Sequence, residues 1–195
     1  MKEMIRITLS LVVIFVAAGL IMGGTYKVTS PAKFYAEKKE KEEALKEMAP
    51  EATDPIQPSG TWESHGKPYE YYVATSSGKP VAYIASTAGK GYSSFVKMLV
   101  SLDSEMRIRG LKVLSHGETP GLGDQILETW FLGQFKGKSL SQLVLVKTET
   151  KENIQAISGA TISSRAVTNG VKDAVQLLVD KYGSGVTSAS RGAVK

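Results

Sequence analysis

A chain of 195 residues, 42% hydrophobic and 22% charged, has room for one folded domain with an ordinary core and some appendages. Its net charge of +5 comes from Lys and Arg interleaved with Glu, as between Glu37 and Glu47, and no basic stripe set with aromatics is present, so nucleic acid is set aside as a partner. With no cysteine and only His65 and His116 as histidines, disulfides, thiolate zinc sites, iron–sulfur ligation, c-type haem attachment, a lipidated cysteine and a histidine-rich metal site all drop out, so any electron must travel on an organic cofactor.

The first element is Ile5–Gly24, IRITLSLVVIFVAAGLIMGG, with Arg6 as its only charge. Its roughly 20 residues, at about 1.5 Å each, cross a hydrocarbon layer of about 30 Å. A cleaved signal peptide is the competing reading, with Val16-Ala17-Ala18 as a poor cleavage site, but the spanning length favours an uncleaved anchor over residues 1–28. Lys2, Arg6 and the amino terminus favour an inside N-terminus, against Lys27 and Lys33, which puts the rest of the chain outside the cytoplasm.

Residues 29–60 read as a charged helix or stalk, from Pro31 to about Met48, followed by a linker marked by Pro50, Pro55 and Pro58. Strands are predicted at Tyr69–Thr75, Val81–Thr87, Phe95–Leu102 and Ile108–Ser115, spaced like hairpins. A short helix is expected over Gln125–Phe131 with Asp124 as its cap, and a further strand at Leu143–Lys147. The last element is a helix over Ser164–Tyr182 with Val167, Val171, Ala174, Val175 and Leu178 on one face. Residues 183–195 read as a disordered Ser/Gly-rich tail. Strands first and a helix last predict an α+β domain over 61–182, with a mainly antiparallel sheet, a packed C-terminal helix and one transmembrane helix in front.

Chemistry concentrates in Ser158-Gly159-Ala160-Thr161-Ile162-Ser163-Ser164, between strand-like Ile154–Ile157 and the final helix. The plain reading is a turn at Gly159 and a cap from Ser163 or Ser164. The functional reading uses the same geometry. A helix start offers unpaired N–H groups and partial positive charge to a phosphate, and small residues at 159 and 160 leave the Thr161 hydroxyl accessible. A second segment, Gly117-Glu118-Thr119-Pro120-Gly121-Leu122-Gly123, is either a strand-to-helix connection or a glycine-rich loop that lets backbone approach a flat ligand. In the second case Glu118 and Thr119 would hydrogen-bond the ligand's edge and Leu122 would cover its face. His116 reads as a loop or core histidine, and Tyr92, Trp130 and Phe131 as core or as walls.

These segments resemble a known family. Ser158-Gly159-Ala160-Thr161 followed by Ser163 is similar to the covalent FMN attachment motif of the G subunit of the Rnf ion-translocating complex and of the related C subunit of the sodium-pumping NADH:quinone oxidoreductase. Glu118 to Gly123 resembles the family's Glu-Thr-Pro-Gly-Leu-Gly loop, and Gly89-Lys90-Gly91-Tyr92 its Gly-Tyr turn. The likeness runs from the membrane span to about Tyr182. It departs at Gln155, where an acidic residue is frequent, and at Ser163, where the family often has Thr.

The resemblance implies FMN joined to Thr161 by a phosphoester bond, with Ser158, Gly159, Ala160, Ser163, Ser164, Glu118, Thr119, Gly121 and Leu122 around it. It implies an electron-transfer subunit of an ion-translocating oxidoreductase in the cell (inner) membrane, flavin domain on the extracytoplasmic side. Its partners would be the membrane, the other membrane and redox subunits, and a flavin transferase for maturation. No residue is assigned a catalytic or metal-binding role, and complete turnover by the isolated subunit is not expected. The chain has no G-x-G-x-x-G opening a helix after a strand, since Gly89-Lys90-Gly91 precedes a strand, so it is not expected to oxidise NADH itself. A free-standing membrane-anchored flavin reductase using the same domain is the alternative.

Overall fold

A computed structural model describes residues 2–191. The chain divides into two compact units at Glu42/Glu43. The first unit belongs to helix α1, Lys2–Met48, which continues through Pro31 where the sequence places a boundary between anchor and stalk. Pro31 lacks the N–H of one helical hydrogen bond, a local cost that the turns on either side absorb. α1 includes a stretch long and apolar enough to cross a membrane, none of it buried by protein. Beyond it, Lys33–Glu37 and Lys38–Glu42 form i,i+4 ion pairs at 3.7 and 4.0 Å on the exposed surface.

The second unit is built on a five-stranded antiparallel sheet in the order β1-β2-β3-β4-β5: Pro58–Ser64, Lys67–Ser76, Lys79–Lys90, Phe95–Leu102 and Ile108–Ser115. β4 and β5 have the bounds predicted, and β2 and β3 are longer at both ends. β1 begins at Pro58, inside the stretch assigned to the linker, and runs on into the predicted domain. Proline is tolerated as the first residue of an edge strand, so Pro58 does not stop it. Trp62 then ties β1 inward through Nε1–H to the Ser86 carbonyl, 3.0 Å.

Strand alternation sends side chains into two separate cores. Ala74, Ala82, Ile84 and Leu99 pack with Ala44, Leu45 and Met48 from the end of α1. Ala85, Met98, Val100 and Leu102 pack instead with the final helix, α3, Thr161–Arg191, through the predicted face of Val167, Val171, Ala174, Val175 and Leu178. The helix lies very close to β3. A Cβ placed on Gly89 would stand 1.8 Å from the Ala166 carbonyl oxygen, and the Thr87 hydroxyl donates to the Gly170 carbonyl at 3.1 Å. α3 runs beyond Tyr182, through part of the segment read as a tail; residues 192–195 of that tail lie outside the described residues.

The connection between β5 and α3 carries a 3-10 turn Gly123–Leu127, α2 at Thr129–Gly133, a second 3-10 turn Leu140–Gln142, and a short parallel pair, β6 Leu145–Val146 with β7 Ile154–Gln155. The helix expected over Gln125–Phe131 is thus two shorter pieces, separated at the extended residue Glu128. Asp124 does not cap either. The Thr119 carbonyl accepts the N–H groups of Leu122, Gly123 and Asp124 at 3.2, 3.0 and 3.3 Å and takes over that task, and Asp124 Oδ1 has no hydrogen bond among the described residues.

Candidate functional site

Three segments far apart in the chain meet at the start of α3: the turn 91–94 between β3 and β4, the loop 117–123 after β5, and residues 158–164. Gly159, with φ +79°, turns the chain into the helix through a left-handed conformation, and Thr161 is its first residue. The helix therefore starts three residues before the predicted Ser164, and neither serine caps it. Ser164 is fully buried in the first turn, accepting the Ile157 N–H at 3.0 Å and donating to the Ala160 carbonyl at 2.9 Å. Ser163 is also buried and donates to Glu118 Oε2. Thr161 is half-buried, and among the described residues its hydroxyl makes no hydrogen bond.

Glu118 is 5% exposed. Its Oε2 accepts from the Tyr92 N–H at 3.1 Å and from the Ser163 hydroxyl, and its Oε1 accepts from the N–H groups of Ser93 and Ser94 at 3.1 and 3.3 Å. The glycines around it leave the space it occupies. A Cβ on Gly91 would stand 2.4 Å from Oε1, and one on Gly123 would stand 2.9 Å from both Glu118 Cβ and Ser163 Oγ. Burial raises the Glu118 pKa, but the hydrogen bonds from Ser163 and from the amides of Tyr92, Ser93 and Ser94 together outweigh it and hold the carboxyl below its ordinary value. It is a charged, buried, fully bonded group. A second strut lies alongside, from the Gly117 N–H to Ser94 Oγ at 2.7 Å.

Two clefts open on either side of Thr161. One, of about 550 Å³, is lined by Tyr92, Glu118, Thr119, Leu122, Gly123, Gly159, Ala160, Thr161, Ile162 and Ser163. Its rim is apolar and open, with Tyr92 74%, Leu122 46% and Ile162 48% exposed. The other, of about 450 Å³, is lined by Gln125, Trp130, Lys147, Gln155, Ala156, Ile157, Ser158, Gly159 and Thr161. Only Gly159 and Thr161 border both.

Of the residues singled out in the sequence, Glu118, Thr119, Leu122, Gly159, Ala160, Thr161 and Ser163 thus come together around one cleft. Ser158 faces the other cleft, Ser164 is interior, and Gly121 serves its turn with φ +74° and lines neither. Tyr92 and Trp130 are wall residues, whereas Phe131 is fully buried core. His116 accepts the Glu118 N–H through Nδ1 at 3.3 Å, a loop contact. Sequence reasoning missed Ser93, Ser94, Gly123 and Ile162. Only Gly123 and Ile162 lay inside recognised motifs, and nothing local marks the 93–94 amides as partners of an acid 24 and 25 residues on. Among the described residues, no group of acidic or histidine side chains could hold a metal ion.

A flavin nucleotide suits this donor set. The free hydroxyl of Thr161 stands at a helix start whose first N–H groups have no intrahelical partner, and an apolar-rimmed cleft large enough for a three-ring system lies beside it.

Residues 91–176, which include all three converging segments, match the family described as the FMN-binding domain. The G subunit of a proton-translocating ferredoxin:NAD(+) oxidoreductase complex from Clostridium ljungdahlii is 32% identical over 176 residues, covering 90% of this chain and 91% of that protein. The G subunit of an ion-translocating oxidoreductase complex from Methanosarcina acetivorans is 32% identical over 187 residues, covering 93% and 98%. The crystal structure of Shewanella oneidensis NqrC shares the fold, with a TM-score of 0.51 at 24% identity over 71% of this chain and 72% of that one.

Proposed function

The chain belongs to the G-subunit family of ion-translocating oxidoreductase complexes, and from that membership we propose that it carries FMN as a phosphodiester on Thr161 and relays electrons inside such a complex. The observation that carries the choice of residue is selective exposure. Of the three hydroxyls in the first turn of α3, those of Ser163 and Ser164 are buried and engaged, and that of Thr161 is half-exposed and free.

In this reading a flavin transferase directs the Thr161 oxygen onto the ribityl phosphate of a flavin nucleotide donor. The new P–O bond replaces the donor's bond to its leaving group, and the hydroxyl proton is released. The first-turn N–H groups of α3 would stabilise the phosphate charge that remains. Bound FMN supplies the redox chemistry, accepting and returning electrons. The chain's own residues tether it, wall the ring with Leu122 and Tyr92, and hold the loops that shape the cleft. Thr119 faces the same space, and Gly159 and Ala160 leave room for the phosphate. Residues 1–28 anchor the chain, 29–60 lead away from the membrane, and the flavin domain over 61–182, extended by β1 from Pro58, works on the extracytoplasmic side against the other subunits.

Intact-protein mass spectrometry tests the attachment. The full chain, matured in cells containing a flavin transferase, should be heavier than its polypeptide by one FMN less one water, and Thr161→Ala should return to polypeptide mass. Flavin on Ser158, Ser163 or Ser164 would refute the assignment. The topology is tested by adding protease to cells whose outer barrier has been opened: the domain should be degraded. Protection in sealed right-side-out vesicles would reverse the orientation.

A further inference from the structure

A ligand tethered through one phosphate remains free to swing about its flexible chain, so the ring's position depends on how rigidly the tether point and the cleft wall are held together. Here the tether, Thr161, is on α3, while the wall comes from the turn 91–94 and the loop 117–123. One side chain joins all three. Glu118 leaves the loop, takes the amides of Tyr92, Ser93 and Ser94 on one side, and takes the hydroxyl of Ser163 on the other, across 45 residues of chain.

We propose that Glu118 is the positioning residue of the flavin cleft, locking the 91–94 turn to the first turn of α3 and so fixing the wall relative to the Thr161 tether. This rests on the flavin reading above but assigns Glu118 a role other than the ring-edge hydrogen bond expected from sequence. A carboxylate has about four lone-pair sites, and four protein donors occupy them, which leaves none for a ring. The Gly91 and Gly123 positions fit the same role, since a side chain on Gly91 would meet the carboxylate oxygen Oε1 and one on Gly123 would meet Glu118 Cβ and Ser163 Oγ. Ser163 thereby acts through Glu118 as a strut. Tyr92, held by its own amide, stands at the rim with its ring exposed.

The test uses the full-length, flavin-loaded chain in detergent, with Glu118→Gln and Ser163→Ala compared to wild type. Two readouts are taken: amide hydrogen exchange across residues 92–94 and fluorescence anisotropy of the attached flavin. Glutamine keeps the shape but turns an N–H₂ toward two of the donors, so exchange at 92–94 should rise about tenfold or more, the effect of losing a hydrogen bond to a charged group. Anisotropy should fall toward that of freely rotating flavin. Ser163→Ala removes one strut and should move both readouts the same way by less; if Glu118→Gln does not fold, this variant decides alone.

Unchanged exchange and anisotropy in the variants would overturn the proposal. So would an anisotropy or absorption change in Glu118→Gln with wild-type exchange, which would return Glu118 to direct ring contact. Absence of flavin from wild-type Thr161 would sink the underlying reading instead. In that event exchange at 92–94 in the flavin-free variants still reports whether Glu118 locks the two turns.

Discussion

The buried face of α3 changes character between its first turn and its middle. In the first turn, Ser163 and Ser164 are interior hydroxyls bonded to Glu118, Ile157 and Ala160. From Ala166 to Leu178 the buried residues are mostly Val, Ala and Leu, with Thr168 donating to the Ser164 carbonyl and Thr87 to the Gly170 carbonyl as polar contacts. Apolar packing is non-directional and scales with area, so the middle of the helix supplies most of the stability of docking but tolerates small shifts. Hydrogen bonds to a buried carboxylate are directional and contribute less, yet they set angles. The helix is held by one region and aimed by the other. Substitutions in the two regions should therefore separate stability from site geometry.

The largest effect should come from Gly89→Ala. Its Cβ would stand 1.8 Å from a backbone oxygen of Ala166 and 3.0 Å from the Cα, so either β3 or α3 must move. We expect a loss of about 3–5 kcal/mol, a large fraction of a small domain's total stability. Chemical denaturation against Gly110→Ala checks it, since a Cβ at Gly110 meets only Met48 Cε at an ordinary 3.7 Å. Similar midpoints for the two variants would mean that the close helix–strand approach is not rigid. Leu178→Ala comes next. It hollows the fully buried far end of the same face and should cost about 2–5 kcal/mol while leaving flavin on Thr161.

Glu118→Gln should cost less, about 1.5–3 kcal/mol near neutral pH, and its cost should depend on acid. The folded carboxyl titrates below its ordinary value, because its hydrogen bonds outweigh its burial. Its contribution is therefore complete above the unfolded pKa of about 4.3 and fades as pH falls through the lower folded value. Denaturation curves of wild type and Glu118→Gln should accordingly converge in acid and separate above about pH 5. A gap that stays constant down to acid would mean that the side chain's shape matters and its charge does not.

The same division explains what the sequence reveals. β4 and β5 were legible to the residue from their β-branched and aromatic residues between turns at hairpin spacing, and the Val167–Leu178 face of α3 from its helical period, which records burial directly. β1 was not, since Pro58 and Gly60 look like linker unless the strand is known to be an edge. Around the site, composition misdirected in a consistent way. Asp124, Ser163 and Ser164 have the chemistry of caps, but a backbone carbonyl replaces Asp124, the distant Glu118 claims Ser163, and Ile157 and Ala160 in the preceding turn claim Ser164. Glu118 stood out within its loop, yet its partners lie 24 to 26 residues before it and 45 after, beyond any local pattern. The motifs marked the segments that converge at the start of α3, and hydrogen bonds spanning 24 to 45 residues set how those segments are held.

The smallest effect on stability should come from the residue proposed to carry the flavin. Thr161 is the first residue of α3, and no described hydrogen bond engages its hydroxyl, so Thr161→Ala forfeits no capping bond. Alanine also has the higher helix propensity by a few tenths of a kcal/mol, so the flavin-free chain should change by less than about 0.5 kcal/mol, in the stabilising direction if at all. Ser164→Ala makes the contrast within the same turn. It strands the Ile157 N–H in a buried setting and should cost about 1–3 kcal/mol, while Thr161 keeps its flavin. Denaturation and intact mass, measured on both variants, should therefore cross: full stability without flavin for one, reduced stability with flavin for the other. If Thr161→Ala proves as destabilising as Ser164→Ala, the hydroxyl is holding the helix start, and the selective-exposure argument for its chemistry fails.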